Sequence, residues 1–226
     1  MRSRSDSKRQ AGAVPTFDAE AGLIARFGMP VAGIDEAGRG PWAGPVVAAA
    51  VILIPERIPA GLNDSKKLSA NLREALYSDI VEQASVGVGI ADVALIDARN
   101  ILQATLFAMR SAVVDLDEKP ACALVDGNSC PDLPCPAETL IKGDARSLSI
   151  AAASIIAKVT RDRMMAALAR EHPGYGWERN KGYGTREHAQ ALQQIGVTRH
   201  HRRSFAPVRA ALEELDHDHL RWNHPR

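Results

Sequence analysis

The run Val31-Ala32-Gly33-Ile34-Asp35-Glu36-Ala37-Gly38-Arg39-Gly40-Pro41 decides how this chain is read. Val31 to Asp35 is a short apolar run that ends in Gly38 and Gly40, the mark of a buried strand. Asp35 and Glu36 stand where that strand closes. Pro45 to Leu53, bounded by Gly44-Pro45 and Pro55, reads as a second strand directly after it. Further out, Leu72, Leu76 and Ile80 recur at helical spacing, which predicts a helix over 69–83. Val86 to Val93 alternates valine and isoleucine with glycine and alanine, as a strand does. Ala94 to Leu116 reads as a long amphipathic helix carrying Leu95, Leu102, Leu106 and Met109. Ala121 to Val125 is a strand stopped by Asp126-Gly127-Asn128, and Thr139 to Ile141 a last short one. Ser147 to Arg170 is an apolar helix with Ile155, Val159, Met164 and Leu168 expected to face inward. Two adjacent strands, a helix, a third strand, then helices alternating with strands predict an α/β fold: a mixed sheet with helices packed on it.

The ends of the chain differ from this middle. Residues 1–14 carry Arg2, Arg4, Lys8 and Arg9 among serines and lack the apolar core of a signal peptide. They read as a disordered basic arm. The α/β pattern occupies 15–171. From 172 to 215 the chain is polar and glycine-containing, which predicts a small C-terminal helical lobe. Residues 216–226 read as a flexible tail.

With 226 residues, 46% hydrophobic and 24% charged, a packed globular core is expected. No apolar run reaches the roughly 18–20 residues of a membrane span. Cys122, Cys130 and Cys135 form an odd count without paired spacing, so free thiols in a reducing compartment are expected rather than a zinc site, and with them a cytoplasmic location. A net charge of +1 announces no nucleic-acid binder. The balance is uneven, however: Lys181, Arg186, Arg199, Arg202 and Arg203 face one acid, Glu187, while four acids crowd 213–218. A basic face balanced by an acidic one still suits a phosphate backbone, although from charge alone ordinary solvated surface is the favoured reading.

Four acids stand where strands or loops end: Asp35, Glu36, Asp126 and Asp144. If the strands ending at Asp35 and Asp126 are parallel neighbours, their carboxylates meet at the sheet edge where open α/β folds place their sites. Four carboxylates there repel and require cations, and hard oxygen donors suit Mg²⁺ or Mn²⁺. A pair of such ions is a device for phosphodiester cleavage. Read singly, Asp144 is equally a helix cap and Asp126 a turn residue. Successive strand residues point to opposite faces. Asp35 and Glu36 are therefore expected to share a site only if the backbone leaves the strand there, which Gly38 and Gly40 permit.

The opening run resembles the signature of bacterial ribonuclease HII, a type 2 ribonuclease H family. Asp64-Ser65-Lys66-Lys67-Leu68, Val125-Asp126-Gly127-Asn128, Lys142-Gly143-Asp144 and Ser154-Ile155-Ile156-Ala157-Lys158-Val159-Thr160-Arg161-Asp162 resemble its further blocks. Lys181-Gly182-Tyr183-Gly184-Thr185, His188 and His201-Arg202-Arg203-Ser204-Phe205 complete the set. The matches run in family order over about residues 30–208; the arm, the tail after about 210 and a variable Thr198-Arg199-His200 fall outside them.

The resemblance implies a ribonuclease H-like mixed five-stranded sheet flanked by helices. It implies Asp35, Glu36, Asp126 and Asp144 as catalytic metal-binding acids for two ions, Mg²⁺ or Mn²⁺. It implies an endonuclease that hydrolyses the RNA strand of RNA–DNA hybrids and incises 5′ to ribonucleotides in duplex DNA. Gly38-Arg39-Gly40 is then the loop that reads the 2′-hydroxyl, since glycine lets backbone approach a sugar closely. Tyr183 stacks on the following deoxynucleotide, and Ser65, Lys66 and Lys67 contact phosphate. Without the resemblance, the loop is a tight turn and Lys67 an exposed basic turn residue. A DNA nuclease of the same fold and a non-catalytic nucleic-acid-binding domain are the competing readings. The Gly-Arg-Gly loop and Tyr183 weigh against the first, and the full set of acids against the second. The expected partners are RNA–DNA duplexes, with no membrane, a monomeric enzyme, and a sliding clamp left open because no clamp-binding motif is visible from Leu215 on.

Overall fold

A computed structural model describes residues 14–222, with side chains through residue 214. The proposed basic arm, apart from Val14, and the last four residues lie outside the described part. Five strands form one sheet in the order β3-β2-β1-β4-β5: β1 Val31–Ala37, β2 Val46–Leu53, β3 Ala84–Ala91, β4 Cys122–Asp126 and β5 Ala137–Leu140. Strand β1 is antiparallel to β2 and parallel to β4, and β4 is parallel to β5. The sheet is therefore mixed, as the sequence predicts.

Each main helix begins at a capping side chain. Ser69 accepts from Leu72 N–H to start α2 (Ala70–Gln83), and Asp92 from Leu95 N–H to start α3 (Val93–Val114). Ser147 accepts from Ile150 N–H to start α4 (Leu148–Glu171). Alternation along the strands divides the core in two. Ala32 and Ile34 join Ala48, Ala50, Ala123 and Val125 against α3. Ala49, Val51 and Leu53 join Ile155, Ile156 and Val159 of α4 and Leu76 and Ile80 of α2 on the other face. Helix α4 lies directly on β1, because a Cβ at Gly33 would fall 2.2 Å from the Ser149 carbonyl carbon.

The structure corrects three local readings. Helix α3 is kinked at Asn100, whose φ of 69° and ψ of 165° are not helical. Its side chain accepts from Leu102 N–H and Gln103 N–H and so caps the second segment. The kink rephases the helix: Leu102 turns outward, and Ala104, Ala108, Met109 and Ala112 form the buried stripe. In α4, Met165 rather than Met164 is fully buried, and Leu168 is only partly covered. Helix α1 (Asp18–Phe27) was not expected, being short and mostly polar. It is anchored by buried Glu20, whose Oε1 accepts from Ser147 Oγ at 2.6 Å, Ser149 N at 2.8 Å and Ser149 Oγ at 2.6 Å.

Beyond α4 the chain forms α5 (Trp177–Asn180), α6 (Arg186–Ile195) and α7 (Ala206–Trp222). This part packs on the end of α4 through Ala43, Met165, Tyr175, Trp177 and Ala191. Helix α7 runs across the boundary drawn at 215/216, so the backbone is helical into the segment read as a tail.

Candidate active site

Pairing of Ile34 with Val125 in the parallel β1–β4 ladder sets Asp35 and Asp126 side by side at the carboxyl ends of their strands. Glu36 does not leave the strand: Asp35 and Glu36 stay in register with Ala49 and Ala48 of β2, and β1 runs on to Ala37. The expected departure of the backbone is thus corrected. The two carboxylates still border one cleft of about 280 Å³, together with Asp126, because β4 ends at Asp126 and opens the sheet there. Glu36 and Asp126 also border a smaller hollow on the α3 side, so they stand at the lip where the two faces of the sheet meet.

Asp144 lies in a one-turn 3-10 helix, Gly143–Ala145, just before α4. Ser147, not Asp144, caps α4. The Asp144 carboxylate, nearly buried, instead faces Lys66, whose Nζ is 3.3 Å from its Oδ2. Asp126 Oδ1 accepts from Gly143 N–H at 2.6 Å, which links the third acid to the turn holding the fourth. Asp35 Oδ1 accepts from Glu36 N–H at 2.7 Å, and Arg39 Nη1 lies 3.4 Å from Glu36 Oε1.

Burial, then the charges of Glu36 and Asp126, hold the Asp35 carboxyl well above its ordinary range. Glu36 is raised by burial, partly offset by Arg39, with Asp126 adding to the rise. Asp126 is raised by burial and by Asp144, against the Gly143 N–H that favours its charge. Burial opposes the charge on Lys66, but Asp144, Asp35 and Asp64 outweigh it and lift its pKa. The site thus holds more negative charge than its own cations neutralise.

Gly38-Arg39-Gly40 forms one wall of the cleft and Tyr183, 48% exposed, another. The Tyr183 ring approaches Gly40 so closely that a Cβ there would be 3.4 Å from Cε1. Two buried guanidinium groups hold this wall from behind. Arg202 donates from Nη2 to Gly38 O at 2.5 Å, from Nη1 to Arg39 O at 2.9 Å and from Nε to Gly44 O at 3.0 Å. Arg161 donates to Pro45 O at 2.9 Å, Lys181 O at 3.0 Å and Ala43 O at 3.1 Å. Burial lowers their pKa values to about 9 and about 10 respectively, so both remain charged at neutral pH.

Ser65 also borders the cleft, its Oγ accepting from Ser154 Oγ at 2.7 Å, whereas Lys67 is exposed and outside the lining. The sequence reading assigned no role to Arg161, Arg202, Ser154 or Lys158, although all four fall in quoted blocks. An arginine inside the apolar face of α4 was the available signal for Arg161.

An all-carboxylate donor set with unneutralised charge suits hard divalent cations. In an open cleft that also carries Lys66 and Lys158, this defines the class as divalent-metal-dependent nucleases of the ribonuclease H fold. The family model described as Ribonuclease HII matches residues 32–208. A ribonuclease HII of Ruegeria pomeroyi is 58% identical over 199 residues, 88% of this chain and 85% of the relative. The ribonuclease H2 structure from Pyrococcus horikoshii OT3 superposes with a TM-score of 0.72 at 28% identity, covering 83% of this chain and 99% of that one. In the PCNA:RNase HII complex from Archaeoglobus fulgidus the matched chain gives 0.66 at 27% identity, covering 77% and 94%. The chain belongs to the ribonuclease HII family and is an endoribonuclease acting on RNA–DNA hybrids. No helix among the described residues is long and apolar enough to cross a membrane.

Proposed function

We propose that the enzyme also incises duplex DNA on the 5′ side of an embedded ribonucleotide, leaving a 3′-hydroxyl and a 5′-phosphate. Asp35, Glu36, Asp126 and Asp144 would hold two Mg²⁺ or Mn²⁺ ions. The observation that carries this reading is that the Gly-Arg-Gly loop and Tyr183 border the same cleft as Asp35, Glu36 and Asp126, to which Asp144 is joined through Lys66 and the turn at Gly143. A sugar in reach of that wall is in reach of the carboxylates.

Divalent ions held by these four carboxylates would supply activation of water for in-line attack and stabilisation of the departing 3′-oxygen. The protein's own part is binding and orientation. Asp35, held well above the ordinary carboxylate range by burial and by its acidic neighbours, is favoured in its charged form by a cation placed opposite it. Lys66, beside Asp144 and exposed to solvent, offers its ammonium to a phosphate, with Ser65 alongside. Lys67 reaches only a duplex that extends past the cleft. The peptide groups of Gly38, Arg39 and Gly40 approach the 2′-hydroxyl without a Cβ at either glycine. Tyr183 stacks on the next deoxyribose and so reads the RNA-to-DNA junction.

The test is end-mapping of a labelled DNA duplex with one ribonucleotide, beside an all-DNA control. A single cut 5′ to the ribonucleotide is expected. A cut on its 3′ side, a 2′,3′-cyclic end, or equal cutting of the control overturns the proposal.

A further inference from the structure

Behind Tyr183 lies a buried pair of imidazoles that the chemistry above does not use. His188 and His201 are 0% and 1% exposed, and their Nε2 atoms are 3.0 Å apart. The surrounding bonds permit one arrangement of protons. His188 Nδ1 is 3.0 Å from the carbonyl oxygen of Tyr183. A carbonyl only accepts, so Nδ1 carries the proton. His188 Nε2 is then an acceptor, consistent with Trp177 Nε1–H pointing at it from 3.2 Å. Thr198 N–H donates to His201 Nδ1 at 2.9 Å, so His201 carries its proton on Nε2 and donates it to His188. The relay runs from Thr198 through His201 and His188 to the peptide of Tyr183, and a proton added at His188 Nε2 would set donor against donor.

We infer that His188, oriented by His201, is a positioning residue for Tyr183 and thereby for selection of the RNA-to-DNA junction. The inference deepens the reading of Tyr183 as the junction residue and rests on it. The His188 bond adds to a turn already held at Gly182, whose N–H donates to Asn180 Oδ1 at 2.9 Å and whose carbonyl accepts from Trp42 N–H at 2.8 Å, so its effect falls on the Tyr183–Gly184 peptide. Gly182, with φ of +85°, precedes Tyr183 and Gly184 follows. The Tyr183 carbonyl receives one other bond, from Thr185 N–H at 2.8 Å, and the Tyr183 N–H donates to Asn180 O at 2.9 Å. With the imidazole bond removed, the Tyr183 carbonyl keeps only the bond from Thr185 N–H, and the ring is held less firmly in its place against Gly40.

The test compares kcat/KM on two substrates, a DNA duplex with one ribonucleotide and a continuous RNA–DNA hybrid. His188→Leu removes the donor while filling the space. His188→Asn keeps an N–H near the Nδ1 position. His188→Leu should lower junction cleavage about tenfold, the equivalent of one hydrogen bond's alignment, and hybrid cleavage by less than about twofold. His188→Asn should recover most of the junction rate. Should His188→Leu fail to fold, His188→Gln carries the same measurement, since its amide reaches the Nε2 position and leaves the Tyr183 carbonyl without the Nδ1 donor. Equal losses on both substrates, or no rescue by Asn, overturn the inference. Tyr183→Ala serves as the separate arm. If it leaves the junction preference intact, the junction reading of Tyr183 itself has failed, whatever the histidine variants do.

Discussion

Replacing Gly38 with alanine should cost the protein about 3–5 kcal/mol and most of its incision at ribonucleotides. Gly38 has φ of +100°, which an L-residue occupies at a cost of about 1–2 kcal/mol. A Cβ built there falls 2.0 Å from Arg161 Nε, 2.4 Å from its Cδ and 2.8 Å from Pro45 O. Arg161 is not a flexible neighbour, because its guanidinium is spent on Pro45, Lys181 and Ala43 carbonyls. Moving it breaks at least one bond from a charged donor, about 1.5–3 kcal/mol. In a domain of this size each kcal/mol is about 2–4 °C, so the melting temperature should fall by roughly 6–20 °C. Gly61→Ala isolates the backbone part. Gly61 has φ of +89°, but nothing lies within 4 Å of its would-be Cβ, so the loss should stop at about 1–2 kcal/mol. Thermal denaturation of both variants, with cleavage of a single-ribonucleotide duplex well below the transition, checks the reasoning. Equal melting of the two variants would refute the packing argument, and unchanged incision by the Gly38 variant would remove the loop from substrate recognition.

Asp35→Asn should abolish cleavage and stabilise the metal-free protein by about 1–2 kcal/mol, the usual trade at an electrostatically strained site. Since Asp35 is raised when folded, its favourable contribution is complete at acid pH below the unfolded carboxylate value and is lost as pH rises through the folded value. The gain should therefore show at pH 7 in thermal melts without divalent ions and shrink toward pH 4; a lower melting temperature at pH 7 contradicts it. Asp126→Asn keeps an acceptor for Gly143 N–H, so it should lose turnover while duplex affinity in a gel-shift assay stays near wild type. Near-normal turnover would take Asp126 out of the site. His201, lowered to about 3 by burial and by His188, and His188, also lowered by burial, are neutral when folded. His200 and His172 press His201 the same way, while Glu187 acts oppositely on His188. Stability from His201 is complete above the unfolded histidine value near 6.5 and is lost as pH falls from there toward about 3, by about 1.4 kcal/mol per pH unit, and His188 adds a loss of the same sign. The urea midpoint should drop between pH 7 and pH 5, and the drop should be smaller in His201→Gln; a flat profile in the wild type contradicts the buried neutral pair.

The strands β1, β2 and β4 and the helix α4 are legible in sequence because each is a continuous apolar run with a capping or turn residue at its end. Where local signals compete, the reading fails. Asn100 looks like one polar residue in a helical period, yet its side chain caps the following turn and divides α3. Helix α1 has too little apolar periodicity to be seen; it exists because Glu20 finds three donors at the start of α4. Lys67 shares a basic run with Lys66, but only Lys66 turns into the cleft.

By itself the sequence determined the alternation of strands and helices, the positions of four carboxylates at element ends, and, by resemblance, the family to which they belong. Tertiary structure alone decided that Asp35 and Glu36 share a site while both remain in strand, since that depends on where the neighbouring strand β4 ends. It alone decided that Arg202 holds the carbonyls of Gly38 and Arg39, more than 160 residues earlier in the chain. It also decided that the two histidines stand behind Tyr183. Periodicity reports which face of an element is buried, because that follows from the local backbone repeat. It says nothing of which buried polar group meets which, because those partners are chosen when distant elements close on one another.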